Sequence, residues 1–377
     1  MRIGFDGKRA VQNFTGLGNY SRYVADILCH FYPENDYVLY APKKRENKRM
    51  NLLTGQYRQL TLAYPATFFW KKLSSLWRVW GITSQLEKEG IELFHGLSNE
   101  LPLNIHKSRI KSIVTIHDLI FLRYPQYYQS IDRKIYTYKF RKACENADKI
   151  IAISECTKRD IIRYFNIPDD KIEVVYQGCD VSFTHPVTEE KKEEVRKKYQ
   201  LPDHYILNVG SIEERKNILA AVQALPMLPQ HIHIVIVGRR TGYTEKVEQF
   251  IKDNGLGERV HIISNVPFND LPAFYQSAEI FVYPSRFEGF GIPIIEALYS
   301  GIPVVAATGS CLEEAGGPDS IYVNPDDITG LADAFKQIYS NSDKRKNMVE
   351  KGREFAKRFS EKQQSEEIIN INKKLIR

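Results

Sequence analysis

Short runs of apolar, β-branched residues alternate along the chain with stretches whose apolar positions recur every three or four residues. A first strand is read in Met1–Asp6, followed by Tyr37–Tyr40, Leu93–His95, Ser112–Ile116, Lys149–Ile153 and Ile172–Val175. A second series comprises Tyr205–Val209, His233–Val237, Val260–Ile263, Ile280–Tyr283 and Pro303–Ala306. Strands that are apolar nearly throughout, with amphipathic helices between them, belong to parallel sheets covered on both faces. The pattern occurs twice, which predicts an α/β chain of two doubly wound domains. Between the series lies TEEKKEEVRKKYQLP (188–202), charged and without a strand signal, and the junction is placed near residues 180–188. The expected division is 1–183, 184–355 and a terminal segment 356–377. Helical spacing at Phe355, Phe359, Ile368, Ile371 and Leu375 predicts a helix there that returns to the first domain.

A length of 377 residues fits two domains of ordinary size, and 43% hydrophobic with 26% charged residues is the composition of a globular protein. No apolar run approaches the roughly 20 residues that span a bilayer, and the amino terminus reads as a strand, so a cytoplasmic location is expected. The five cysteines, Cys29, Cys144, Cys156, Cys179 and Cys311, are scattered without a C-x-x-C pair and are expected to be buried, reduced thiols. Charge is uneven: residues 1–183 carry 28 Lys and Arg against 19 Asp and Glu, a net of about +9, whereas 184–377 carry 25 against 27. The basic half points toward an anionic contact. No nucleic-acid partner is expected.

In open α/β sheets, ligands sit at the carboxyl ends of the strands. After Ile280–Tyr283 comes PSRFEGFG (284–291), then a helix expected to open at Pro293 and close at Gly301. Its first N–H groups and the positive end of its dipole suit a phosphate, and Gly289 and Gly291 allow close backbone approach. Glu288 in the turn and Glu296 in the helix then supply acceptors for hydroxyls on either side of that phosphate. These features fit a diphosphate flanked by a sugar and a ribose.

The segment EGFGIPIIEALYSGIPVVA (288–306) closely resembles the E-x7-E signature of retaining family-4 glycosyltransferases, enzymes of the GT-B fold. The resemblance implies two Rossmann-like domains facing a cleft. It assigns Glu288 to hydroxyls of the transferred sugar, Glu296 to the ribose, and the backbone of Gly289, Phe290, Gly291 and Ile292 to sugar and phosphates. The loop NVGSIEERKN (208–217) is similar to the family's phosphate-binding segment, and its Arg215 and Lys216 suit a nucleoside-diphosphate leaving group. Many members carry Arg directly after the glycine, where this chain has Ser211, read as a donor contact; Arg215 either substitutes for that Arg or faces solvent. In the first domain, the turn Thr15–Ser21 places Gly16 and Gly18 at donor phosphate or acceptor, and His117 of Thr115–Asp118 at the donor sugar. Ser154 is read as the N-cap of a helix through Phe165.

The resemblance further implies a nucleotide-diphosphate sugar as donor, a saccharide or lipid-linked acceptor, retention of anomeric configuration, no cofactor and no metal. Mannose is favoured among hexoses. A nucleotide-sugar epimerase of related fold, or a catalytically silent nucleotide-sugar-binding protein, is the alternative. FFWKKLSSLWRVW (68–80) holds all three tryptophans of the chain. Helical spacing puts Phe69, Leu73, Leu76, Trp77 and Trp80 on one face, which is expected to pack into the core. The alternative is a helix at an anionic membrane interface, with a lipid-linked acceptor.

Overall fold

The computed structural model describes residues 1–376 and contains two compact units. One is Met1–Tyr176 with the terminal helix Glu361–Ile376, the other Gln177–Ser360. Arg377, included in the expected terminal helix, lies outside the described residues.

In the first unit, β1 (Arg2–Asp6), β2 (Asp36–Tyr40), β3 (Leu60–Ala63), β4 (Leu93–Gly96), β5 (Lys111–Ile116), β6 (Lys149–Ala152) and β7 (Ile172–Val174) form a parallel sheet in the order β3-β2-β1-β4-β5-β6-β7. In the second, β8 (Tyr205–Val209), β9 (His233–Val237), β10 (Val260–Ile263), β11 (Ile280–Tyr283), β12 (Val304–Ala307) and β13 (Ile321–Val323) follow the order β10-β9-β8-β11-β12-β13. The strand order reverses between β1 and β4 in one sheet and between β8 and β11 in the other. Loops diverge at these switch points and leave room for a ligand at the carboxyl ends.

Every expected strand occurs with its ends within a residue or so of the observed ones. The short β3 and β13, not anticipated, are edge strands with largely half-buried residues, where the apolar signal is weakest. Side chains alternate between two cores in the first unit. Ile3, Phe5, Leu93, Ile113 and Ile151 face the helix Gly16–Phe31, while Phe94, Val114, Ile116 and Ile150 face the opposite side. The terminal helix buries Ile368, Ile369 and Ile371 in the first of these cores, packed on Gly16–Phe31. Ser154 caps the helix Glu155–Phe165, its hydroxyl accepting from the Thr157 N–H. All five cysteines are free and buried.

The stretch Phe68–Trp80 corrects the expected core stripe. It runs as a short helix Phe68–Lys72, breaks at Leu73 (φ −102°, ψ 42°), and passes through Ser74–Leu76 into a π-helical turn, Trp77–Gly81. The break at Leu73 redirects the chain after Phe69, and the wider turn shifts the phase of Trp80, so residues on one face of a regular helix separate. Trp77 is buried, its indole N–H donating to Gln85 Oε1 at 3.1 Å, but Phe69, Leu73, Leu76 and Trp80 are 38–59% exposed. Arg78 fixes this geometry. Its guanidinium reaches Asp6 at the end of β1 and Glu100 after β4, each at 2.5 Å, and so sits across the switch point of the first sheet.

Ile368→Ala removes a fully buried side chain from the terminal helix and is expected to cost about 3 kcal/mol in the first unit. Lys374→Ala on its exposed face should stay within about 0.5 kcal/mol. Denaturant titration followed by near-UV circular dichroism compares the two; equal midpoints would contradict the packing of this helix.

Candidate functional site

At the switch point of the second sheet, the loops after β8 and β11 lock together. Gly210 follows β8 at φ 153°, and a Cβ there would lie 3.1 Å from Lys216 Nζ, so glycine lets the lysine side chain pass. Glu214–Lys216 forms one 3-10 turn, and Asn217 leaves it in the left-handed region at φ 55°. The Asn217 side-chain amide donates to the carbonyls of Pro284 at 3.3 Å and Pro325 at 2.8 Å. The Arg286 N–H donates to the Arg215 carbonyl at 2.9 Å.

This clamp delivers Arg215 and Lys216 to Glu288. Arg215 Nη1 lies 2.9 Å from Glu288 Oε2, and Lys216 Nζ lies 3.4 Å from Oε1. Ser285 donates to Glu288 Oε1 at 2.8 Å, and the Tyr283 hydroxyl donates to the same oxygen at 3.2 Å while accepting from Lys216 Nζ at 3.0 Å. Arg215 also donates to the Phe287 carbonyl. The Glu288 side chain is 13% exposed. Burial alone would raise its pKa, but the cations of Lys216 and Arg215 and the Ser285 hydrogen bond outweigh that and hold it down at about 2. Burial opposes the charge on both cations too, yet Glu288 keeps each above its ordinary value. All three groups are ionised at neutral pH.

The helix after the turn spans Ile292–Ser300, with Gly291 as N-cap and Gly301 closing it at φ 75°. It therefore begins one residue before the expected Pro293. Proline has no N–H and the Ile294 N–H donates to the Gly291 carbonyl, so this end presents fewer donors than an ordinary helix. Gly291 has φ 146°, and a Cβ there would meet Ala315 and Leu312 at 3.2 Å. The Cys311 thiol donates to the carbonyls of Glu288 at 3.0 Å and Phe290 at 2.7 Å, holding Gly289 and Phe290 in the turn from below.

Glu296, one turn inside, behaves unlike Glu288. Burial raises its pKa to about 7; the Tyr275 hydroxyl, donating to Oε2 at 2.6 Å, opposes the rise, and Asp180 adds to it. Ser211 stands apart from the cluster, its hydroxyl donating to Glu213 Oε1 at 2.6 Å. Glu213 also lies 3.6 Å from both Arg215 and Arg239.

In the first unit, Gly16 and Gly18 belong to the first turn of the helix Gly16–Phe31. A Cβ on Gly16 would meet nothing, whereas one on Gly18 would collide with the Asn13 carbonyl at 2.0 Å, so packing alone requires glycine at 18. The same helix carries Tyr20 edge-on to His117 with ring centroids 4.6 Å apart. His117 is buried just after β5, with Nε2 at 2.9 Å from the Leu97 carbonyl, and burial lowers its pKa to about 4. Behind it, His95 Nε2 meets Thr115 Oγ1 at 2.8 Å.

Tyr283, Ser285, Tyr275, Asn217 and Cys311 were not anticipated. Tyr283 closes an apolar strand, where alternation reads it as core. Asn217 alone carries a local signal, since asparagine tolerates the left-handed conformation. Among the described residues, no three His, Cys, Asp or Glu side chains are grouped to hold a metal ion.

The carboxyl of Glu296 is expected to titrate near pH 7 in the ligand-free protein. Isotope-edited infrared spectroscopy should show a carboxylic acid signal disappearing between about pH 6 and 8 that is missing in Glu296→Gln. In Tyr275→Phe the loss should move to higher pH, because a hydrogen bond to the ionised form is gone. A signal unchanged across that range would refute the environment described.

Residues 189–355 match the family described as Glycosyl transferases group 1, and residues 21–183 match Glycosyltransferase Family 4. The chain is 30% identical to O-antigen chain mannosyltransferase B of Escherichia coli over 289 residues, covering 75% of this chain and 74% of that one. It is 29% identical to O-antigen chain mannosyltransferase RfbU of Salmonella typhimurium over 60% of each chain. Among solved structures, it superposes on a glycosyltransferase from Rickettsia africae with a TM-score of 0.79 at 20% identity, over 100% of this chain and 98% of that one. Anabaena Alr3699/HepE in complex with UDP and glucose gives 0.77 at 17% identity over the whole of both chains. These structural likenesses show the GT-B fold, and the sequence matches carry the relationship further: the chain belongs to the group 1, family 4 glycosyltransferases.

Proposed function

We propose that the protein is a retaining, metal-independent glycosyltransferase that moves a hexose, mannose favoured, from a nucleotide-diphosphate sugar to a saccharide or lipid-linked acceptor in polysaccharide synthesis. The observation that carries this reading is the Glu288–Arg215–Lys216 cluster at the second switch point. The two relatives named as O-antigen mannosyltransferases support the sugar and the setting.

In this reading, Glu288 accepts hydrogen bonds from hydroxyls of the transferred sugar and Glu296 from those of the ribose. Arg215 and Lys216 neutralise the diphosphate as the bond from the anomeric carbon to the phosphate oxygen breaks. The acceptor oxygen bonds to the same face of that carbon, and its proton passes to the departing phosphate. No side chain serves as nucleophile. From the first unit, neutral His117 and the Gly16–Gly18 turn are read as substrate contacts.

Thermal stabilisation of the purified protein by a panel of UDP-, GDP-, ADP- and CMP-sugars, with chelator present, tests the donor site, because a ligand bound only by the folded state raises the melting temperature. One nucleotide sugar is expected to stand out. Turnover with acceptor should then fall about 100-fold or more in both Glu288→Gln and Lys216→Ala. Glu288→Ala is the poorer variant, since it leaves two cations close to one another with no carboxylate between them. An isomerised donor would indicate an epimerase, and full transfer by Lys216→Ala would overturn the assignment.

A further inference from the structure

Contacts within the first unit hold His117 by backbone and ring together. Its main-chain N–H donates to Asn99 Oδ1 at 2.7 Å, its carbonyl accepts from the Thr157 hydroxyl at 3.2 Å, its Nε2 lies 2.9 Å from the Leu97 carbonyl, and the Tyr20 ring stands edge-on to it. Asn99 and Leu97 both belong to the loop after β4. That loop turns sharply at Gly96, where a Cβ would stand 2.2 Å from the Glu100 carbonyl, and at Asn99, which is buried in the left-handed region at φ 65°. In this conformation the Asn99 N–H donates to the Thr115 carbonyl at 3.0 Å while its side-chain oxygen receives the His117 N–H. One residue therefore ties the loop to the end of β5 at two points.

The consequence is chemical. A carbonyl oxygen only accepts, so Nε2 carries the proton, and in a neutral ring the lone pair then lies on Nδ1. Burial lowers the pKa of the ring and outweighs the opposing Leu97 carbonyl, so the imidazole is uncharged at neutral pH. Held this way, the ring accepts a hydrogen bond at Nδ1 and has no proton to give there. That suits a hydroxyl and disfavours a phosphate oxygen, which needs a donor. Both tautomers fill the same space; the position of the Leu97 carbonyl decides between them, and Asn99 fixes that position.

We infer that Asn99 is a positioning residue for the transfer reaction: by anchoring the loop 96–100 to His117, it holds the imidazole as the Nε2–H tautomer, with Nδ1 as acceptor for a substrate hydroxyl. The inference rests on the reading of His117 as a substrate contact and adds the residue that prepares the ring. If a left-handed turn were all that position 99 required, glycine would serve equally well.

Two variants separate these roles. Asn99→Gly keeps the turn and removes the side-chain oxygen, whereas Asn99→Asp keeps both. Nitrogen-15 NMR of histidine-labelled, ligand-free protein, with His117→Gln to assign the signals, should show Nε2 protonated and Nδ1 unprotonated in the unaltered chain. Asn99→Asp should match it, and in Asn99→Gly the two shifts should draw together as the tautomers mix. Turnover should fall about tenfold or more in Asn99→Gly and be largely restored in Asn99→Asp, because small displacements of a substrate-contacting group are costly. Thermal stabilisation by the nucleoside diphosphate alone should stay native in both, so that the loss is not a general one. A native ring protonated on Nδ1, unchanged shifts in Asn99→Gly, or native turnover in Asn99→Gly would each overturn the inference. Absence of transfer by the unaltered protein would instead count against the proposed function, and the tautomer measurement would still decide whether Asn99 holds the ring.

Discussion

A carboxylate and two cations held almost out of water constrain the whole second unit. Each charge would be costly alone; together, with Tyr283 and Ser285 filling the remaining hydrogen-bonding capacity of Glu288, they become stable. That requires the loops after β8 and β11 to come within hydrogen-bonding distance, and the local sequence complies. Gly210 yields space to Lys216, Asn217 turns left-handed, and Gly238 at the end of β9 lacks a Cβ that would stand 1.8 Å from the Gly210 carbonyl. Counting Glu213 and Arg239, three cations face two carboxylates, so the cluster keeps an excess positive charge.

Glu288 and Glu296 are chemically identical and eight residues apart, yet their environments push them in opposite directions. Glu288 is paired with cations and ionised. Glu296 has a phenol for company and a carboxylate, Asp180, in range, so at neutral pH its acid and its anion are nearly balanced. Vicinal hydroxyls would favour the anion by donating to it, and occupancy of that position is then coupled to loss of a proton. A single motif thus contains one carboxylate held as the anion and one nearly balanced between its two forms.

The sequence revealed the parts of this architecture that depend on local pattern. β8, β9 and β11 are apolar nearly end to end because both faces are covered, and the E-x7-E segment shows through because glycines punctuate it. The edge strands β3 and β13 escaped for the converse reason: half-exposed residues dilute the signal. Tyr283 and Tyr275 escaped because buried tyrosines look like core until their hydroxyl partners, distant in sequence, are known. Phe68–Trp80 misled through the assumption of a constant helical period, which a break at Leu73 and one π-helical turn after it were enough to interrupt.

The two switch points show one architecture put to different uses. In the second sheet the carboxyl ends leave positive charge unmatched. In the first, Arg78 enters the equivalent position from outside and meets Asp6 and Glu100, while Lys139 balances the second carboxylate. There each carboxylate is paired at short range, with Lys8 as a further cation facing both. The same guanidinium is the anchor of a segment whose neighbouring rings, Phe69 and Trp80, remain in solvent. Loss of Arg78 would release both constraints together, because the side chain that fills the first switch point is the one that holds the aromatic face outward.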